Sequence, residues 1–424
     1  MSVTPSEPRF RDRDAIALDV VGVIGLVALL GGLVILRSSK ELGFDAGAAF
    51  AGILSQLSVT FPAAILVLGA SALELAAGIV LARAARNRPF DSIAEALIAS
   101  MVAAVIKDTL LLGTLAAVGA FRQPILIVID IAIVVAGLGL PAFSQRIRPM
   151  TALVGWRAAV GSVGSWPVAA LVVIVWAGPV LLQLASPVVP FIDVLPNYVG
   201  PVEHLRTFGW FSPLTETQSP IIGPSRTVLG YDALLGSIAT ITNLGGGLAI
   251  AGFILPQTVL VAAGVHRLAN ALRRGDAPIG PWALLAFALS QSFARLADAR
   301  GTVVVVPLLC LGLAVAAETL RREPPDGEIS APSAGERAPR EASLNDPWRI
   351  GRGAVIGLAL GAATLVHPVI GFFGIVTVVI AALVRPHELG ATAFVAGLTA
   401  GLIALPQLAT MVGASLPTLA LGIG

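Results

Sequence analysis

The sequence predicts an all-α, polytopic membrane protein. It reads as about eleven α-helical spans with a layer of loops and interfacial helices on the outer face. Three observations carry that expectation. The 424 residues are 56% hydrophobic and only 12% charged, with a mean hydropathy of +0.89, whereas a soluble domain carries about 25% charged residues. Apolar runs of roughly 20 residues recur along the chain, the length an α-helix needs to cross a bilayer. The most Arg-dense loops fall on one side when the runs are threaded alternately, as basic residues do in short cytoplasmic loops. Backbone inside a bilayer must satisfy its own hydrogen bonds, so the spans are helices; the alternating ten-residue strands of a membrane barrel are absent.

The elements follow in order. RFRDRD (Arg9–Asp14) precedes a first span, Ala15–Leu36, and places the N-terminus in the cytoplasm of a plasma-membrane protein. Outside it, AFAGILSQLSVTF is expected to lie on the membrane as an amphipathic helix. Spans over Phe61–Ala82, Ile93–Val118 and Pro124–Ala142 complete an N-terminal four-helix unit, residues 1–150, with RAARNR and SQRIRP as its inner loops. A fifth span, Trp166–Ala185, leads to the longest polar interval outside the linker, Ser186–Asp232. ALLGSIATITNL is too short to span and is expected at the outer interface. Then come crossings at Gly245–Val265, Pro281–Phe293 and Gly301–Thr319. Residues 322–350, rich in Pro, Ser, Glu and Arg, read as a flexible cytoplasmic linker. Ala354–Val366, Ile370–Leu383 and Ala391–Thr410 follow, with His367-Pro368 as a turn.

Composition also excludes. A net charge of +2 gives no reason to expect nucleic acid. The single cysteine, Cys310, allows no intrachain disulfide and no Cys cluster. His204, His266, His367 and His387 lack metal-ligand spacing. No cofactor is required by any pattern, and no metal ligand set is assigned, although the outer carboxylates leave a divalent metal open. No signal-peptide cleavage pattern follows the first apolar run.

Two constellations carry chemistry. Glu74, Lys107, Asp108 and Asp130 sit within the second to fourth spans. An unpaired charge there costs roughly 3 kcal/mol, so such residues pair inside the bundle. The set reads either as a proton or ion relay or as a buried Glu74–Lys107 pair with polar helix ends. On the outer side, threading brings together the Asp193–Asp232 interval, the RLADAR turn (Arg295–Arg300) and His367. A carboxylate there is placed to act as general base toward a hydroxyl. Arginines beside it suit a phosphate, and Tyr198, Phe208, Trp210 and Phe211 suit a sugar, a lipid or the interface itself.

The stretch DVLPNYVGPVEHLRTFG at Asp193–Gly209, with GYDALLGSIATITNL and LVHPVIGFFG after it, resembles the GT-C glycosyltransferases. The resemblance covers residues 166–424 and lies largely in helix order. It implies a GT-C-like core that takes a sugar from a polyprenyl phosphate and passes it to a glycan, lipid or protein acceptor on the outer face. Asp193 would be the catalytic base, with Glu203 and His204 supporting it. Arg206, Arg226, Arg295, Arg300 and His367 would meet phosphate or sugar. Four extra spans precede this acidic loop, whereas the family's usually follows the first span; Asp45 is the rival assignment. Two other functions fit the same sequence: a transporter or lipid-linked-sugar flippase using Glu74, Lys107 and Asp130, and a non-catalytic membrane subunit of a larger assembly.

Overall fold

The structure is a computed structural model. It describes residues 46–85, 90, 92–139, 166–185, 199–209, 228–273, 279–290, 301–321 and 347–421. Every regular element among these is helical. Five helices are long and apolar enough to cross a membrane: Ala51–Ala84, Ile93–Val118, Gly301–Thr319, Pro347–Val366 and Pro386–Thr410. This is a multi-pass α-helical membrane protein, and its outside matches that solvent. Ile65, Leu66, Val128, Val135, Phe372, Phe373, Leu402 and Leu405 all point outward. So dense an exposed apolar surface is stable only against lipid.

Helix α1 (Ala46–Ala84) runs through the stretch expected to lie on the surface and continues unbroken into the second span, past Pro62. The Thr60 hydroxyl reaches out of this helix to the Leu184 carbonyl of α4 (Trp166–Ala185). Helix α2 (Ile93–Leu115) begins on a capping box: Ser92 accepts a hydrogen bond from the Glu95 amide at 3.1 Å, and Ser-x-x-Glu is the sequence that caps this way. A tight turn leads to α3 (Gln123–Gly139). Helices α1 and α2 approach backbone to backbone at Gly78, where a Cβ would lie 2.2 Å from the Ser100 carbonyl oxygen.

The largest departure from the sequence reading lies in the middle of the chain. Helix α5 (Gly200–Phe208) is short and polar and ends at Gly209 in the left-handed region. Helix α6 (Leu229–Thr242) was expected at the interface. Instead every residue from Leu229 to Ile241 is buried, with α2, α5, α1, α3 and α11 (Pro347–Val366) around it. The physical reason is composition. α6 is mostly Leu, Ile, Ala, Gly and Tyr, and even its Asp232, Ser237 and Thr240 are buried, so the helix packs inside the bundle. After Asn243, Leu244 and Gly245 the chain turns by 104° into α7 (Gly246–Gly252). Such a pair is a broken span or a re-entrant hairpin, tolerated at membrane depth where protein surrounds it.

Helix α8 (Ile254–Leu272) packs on α10 (Gly301–Thr319), with α9 (Gly280–Ala288) against α8 and α4. α11 begins at Pro347, so the last residues of the expected linker are helical and carry Trp348, Arg349 and Arg352 into the fold. His367 caps α12 (Pro368–Val384), and α13 (Pro386–Leu421) packs along α11. One hydrophobic cluster runs from Val67 of α1 through α2, α6 and α10 to Ala400 of α13, and a second gathers Ala64, Trp176, Leu184, Ile254, Val261 and Val303.

Two polar layers close the ends. At one end, Arg267 of α8 meets Glu318 of α10 at 2.5 Å and Glu95 of α2 at 3.7 Å, and Arg352 of α11 reaches Glu318 at 3.7 Å. Arg321 donates to the Leu272 and Arg273 carbonyls, capping the end of α8. This is the end at which threading puts the Arg-rich loops. At the other end, Arg122 donates to the Thr207 and Phe208 carbonyls at 2.9 and 2.6 Å, and Gln123 donates to the Ile241 carbonyl. Inside the bundle, at the opposite end of α6, Gln407 of α13 accepts from the Leu229 amide.

Candidate functional site

The polar core of the bundle is built from α1, α2 and α3. Lys107 on α2 donates hydrogen bonds to Glu74 on α1 and to Asp130 on α3. Its Nζ also lies 3.1 Å from Asp108. The side chains are sealed from solvent: Lys107 is 7% exposed, Glu74 2%, Asp130 1% and Asp108 0%. The sequence left open a relay through all four residues or a buried Glu74–Lys107 pair. The structure contains that pair and brings Asp108 and Asp130 to the same ammonium, three carboxylates to one.

That ratio decides what the site can do. A buried ion pair is self-sufficient when its hydrogen bonds are complete. Here, Glu74 Oε1, Asp130 Oδ2 and both carboxylate oxygens of Asp108 have no hydrogen-bond partner. Ser237 of the buried helix α6 is placed beside Asp108. Fully ionised, the group would hold two negative charges beyond what Lys107 balances, in surroundings where each costs about 3 kcal/mol. Neutrality requires protons or another cation at the carboxylates. The cluster is therefore disposed to bind and release positive charge.

A cavity of about 10 Å3 adjoins Glu74, close to the space one water occupies. Ser71, one turn before Glu74 on the same face of α1, lines it with Met101, Leu234, Phe253 and Leu260. The Ser71 hydroxyl is buried and has no hydrogen-bond partner. The wall thus includes both the buried helix α6 and the start of α8, just past the 104° break.

The outer-loop residues are only partly described. Asp193, Arg226, Arg295 and Arg300, and the rival Asp45, lie outside the described residues. Glu203 and Arg206 are ion-paired within α5. Glu203 Oε2 also accepts from the Gly246 amide at 2.7 Å, fastening α5 to the start of α7. The Arg206 hydrogen bond, then the Gly246 N–H, hold the Glu203 carboxyl below its ordinary value of 4.5, as hydrogen bonds to the charged form do. Arg206 also reaches the Asn243 side chain at 3.1 Å. His204 packs against Phe208 at a tilt, with ring centroids 4.7 Å apart, and burial lowers its pKa. His367 Nδ1 accepts from the Ile370 amide as the α12 cap, and burial lowers its pKa too. Of these, Glu203 and Arg206 fasten α5 to the turn between α6 and α7, and His367 caps α12. Among the described residues no group of three His, Cys, Asp or Glu is disposed to hold a metal ion.

Sequence reasoning overlooked Ser71, Ser237 and the helix break. Two signals were available: Ser71 sits at i−3 from Glu74, and the run Gly245–Gly247 interrupts an apolar stretch. Set against protein-family models, curated proteins and solved structures, the chain matches none.

Proposed function

We propose that this protein moves an ion across the membrane as part of a transport cycle, with Glu74, Lys107, Asp108 and Asp130 as the ion-exchanging station. The observation that carries the reading is the three-to-one ratio of buried carboxylates to ammonium, with four carboxylate oxygens left without a hydrogen bond. A structural ion pair has no use for the extra acids, and each is expensive at this depth. The buried helix α6, which ends at the break, brings Ser237 beside the cluster. Irregular backbone at membrane depth accompanies ion and substrate sites, where it must line a cavity or be enclosed by protein. The proposal takes the protein as an eleven-span protein of the plasma membrane with the Arg-rich end in the cytoplasm. Purified protein in liposomes with a trapped pH- or sodium-sensitive dye tests it. An imposed membrane potential should drive ion entry in the wild type and not in Glu74→Gln. Equal entry in both, or none beyond empty liposomes, overturns it.

A second reading keeps the GT-C resemblance: transfer of a sugar from a polyprenyl phosphate with Asp193 as base. What favours it is α5, a short polar helix in the interval after Asp193, docked at one end of the bundle by Arg122 and by the Glu203–Gly246 contact. That arrangement is a suitable floor for a loop-built site. Undiminished transfer by Asp193→Asn with a lipid-linked sugar removes it.

A further inference from the structure

We infer that the ion exchanged at this station is a proton, carried on Glu74 and passed through the Ser71 cavity. The inference rests on the transport reading and narrows it to one ligand and one route.

A metal cation stripped of water requires about six oxygen ligands. The cavity is lined by two polar residues, Ser71 and Glu74, among apolar walls, and the position facing the three carboxylates is already held by the Lys107 ammonium. A proton needs one oxygen. Of the three acids, Glu74 alone lines the cavity. Its Oε2 accepts from Lys107, while its Oε1 has no hydrogen bond. One oxygen is thus fixed by the ammonium and the other is left without a partner on a side chain that lines the cavity. Ser71, equally buried and unpartnered, is on the same wall and can hold a water against Oε1.

The step balances simply. Protonated Glu74 gives its proton to a water in the cavity, leaving a carboxylate and a hydronium ion. The carboxylate left behind is met by the hydrogen bond from Lys107. Reloading is the reverse. The charged groups acting on Glu74 are Lys107 and Asp108 of α2 and Asp130 of α3. Of the other helices on α1, α6 carries Tyr231 and Asp232. α8 carries His266 and Arg267, the latter paired with Glu318 and Glu95. α4 and α7 carry no titratable side chain.

Infrared difference spectroscopy of the full-length protein in lipid tests the inference without any transport assay. Titration should reveal a carbonyl band of a protonated carboxylic acid that is lost in Glu74→Gln, shifts in D2O and is unchanged by sodium at fixed pH. Ser71→Ala should keep the band, shift its frequency and slow its response to D2O. A band that sodium abolishes at constant pH assigns a metal cation instead and overturns the proton. A Glu74→Gln spectrum identical to wild type overturns the carrier. If Glu74→Gln does not fold, an unchanged band in Ser71→Ala overturns the route on its own. Liposome flux can fail while this band behaves as described, in which case the transport reading falls and the protonation does not. Flux carried by sodium would do the opposite.

Discussion

Replacing Lys107 with Met is the most informative perturbation of the core, because the geometry fixes both its size and the sign of a second mutation. Lys107 is the one cation among three buried carboxylates. Removing the only partner of buried charge costs about 3–5 kcal/mol, roughly a hundred- to a few-thousand-fold in the folded-to-unfolded ratio. Removing one acid is milder. Asp130→Asn in the wild type takes away one charge-assisted hydrogen bond, of order 1.5–3 kcal/mol, and leaves Lys107 with Glu74 and Asp108. In the Lys107→Met background the same Asp130→Asn change deletes a stranded charge, so it should stabilise. Equilibrium unfolding in mixed detergent micelles, run as a double-mutant cycle, reads the coupling directly. Asp130→Asn that destabilises in both backgrounds would refute the reasoning. So would a Lys107→Met protein as stable as Asp130→Asn.

Three further outcomes follow from other parts of the fold. Gly78→Ala should push α1 from α2, since its Cβ would lie 2.2 Å from the Ser100 carbonyl oxygen; the cost is about 1–3 kcal/mol, and the loosened Glu74–Lys107 contact should shift the infrared band of Glu74. Glu318→Gln removes the shared partner of Arg267 and Arg352, and should destabilise by roughly 1.5–3 kcal/mol in the same unfolding assay. Glu203 titrates below its ordinary 4.5 because Arg206 and the Gly246 amide favour its charged form. Its contribution is present above the unfolded value and is lost as pH falls through the lower folded value. Hydrogen exchange at the Gly246 amide should therefore accelerate in acid below pH 4.5, and Glu203→Gln should abolish that dependence.

Depth was legible in the sequence and rotation was not. Glu74, Lys107 and Asp130 stand inside long apolar runs, and this alone placed them in the bundle. Whether Asp130 turns toward Lys107 depends on how α3 docks on α1 and α2, which no single run records. The extent of α1 was obscured because the stretch before Phe61 was assigned to the membrane surface and the span was started at Phe61; both belong to one helix, with Pro62 inside it. Helix α6 was misplaced at the surface because fourteen residues are too few to span; its lack of a polar face was the better guide. The Glu95–Arg267–Glu318–Arg352 chain joins four helix ends far apart in sequence, so only the side on which each helix ends could have brought these residues together. His367 was legible as a turn and proves to be a helix cap.

The central claim is that the buried carboxylates exchange an ion within the membrane. Charge displacement on a solid-supported membrane tests it most directly, because a pH or sodium jump moves charge into the core before any second substrate is needed. Wild type and Asp193→Asn should give a transient current that Glu74→Gln, folded and inserted to the same level, lacks. A current of equal size in Glu74→Gln would contradict the account.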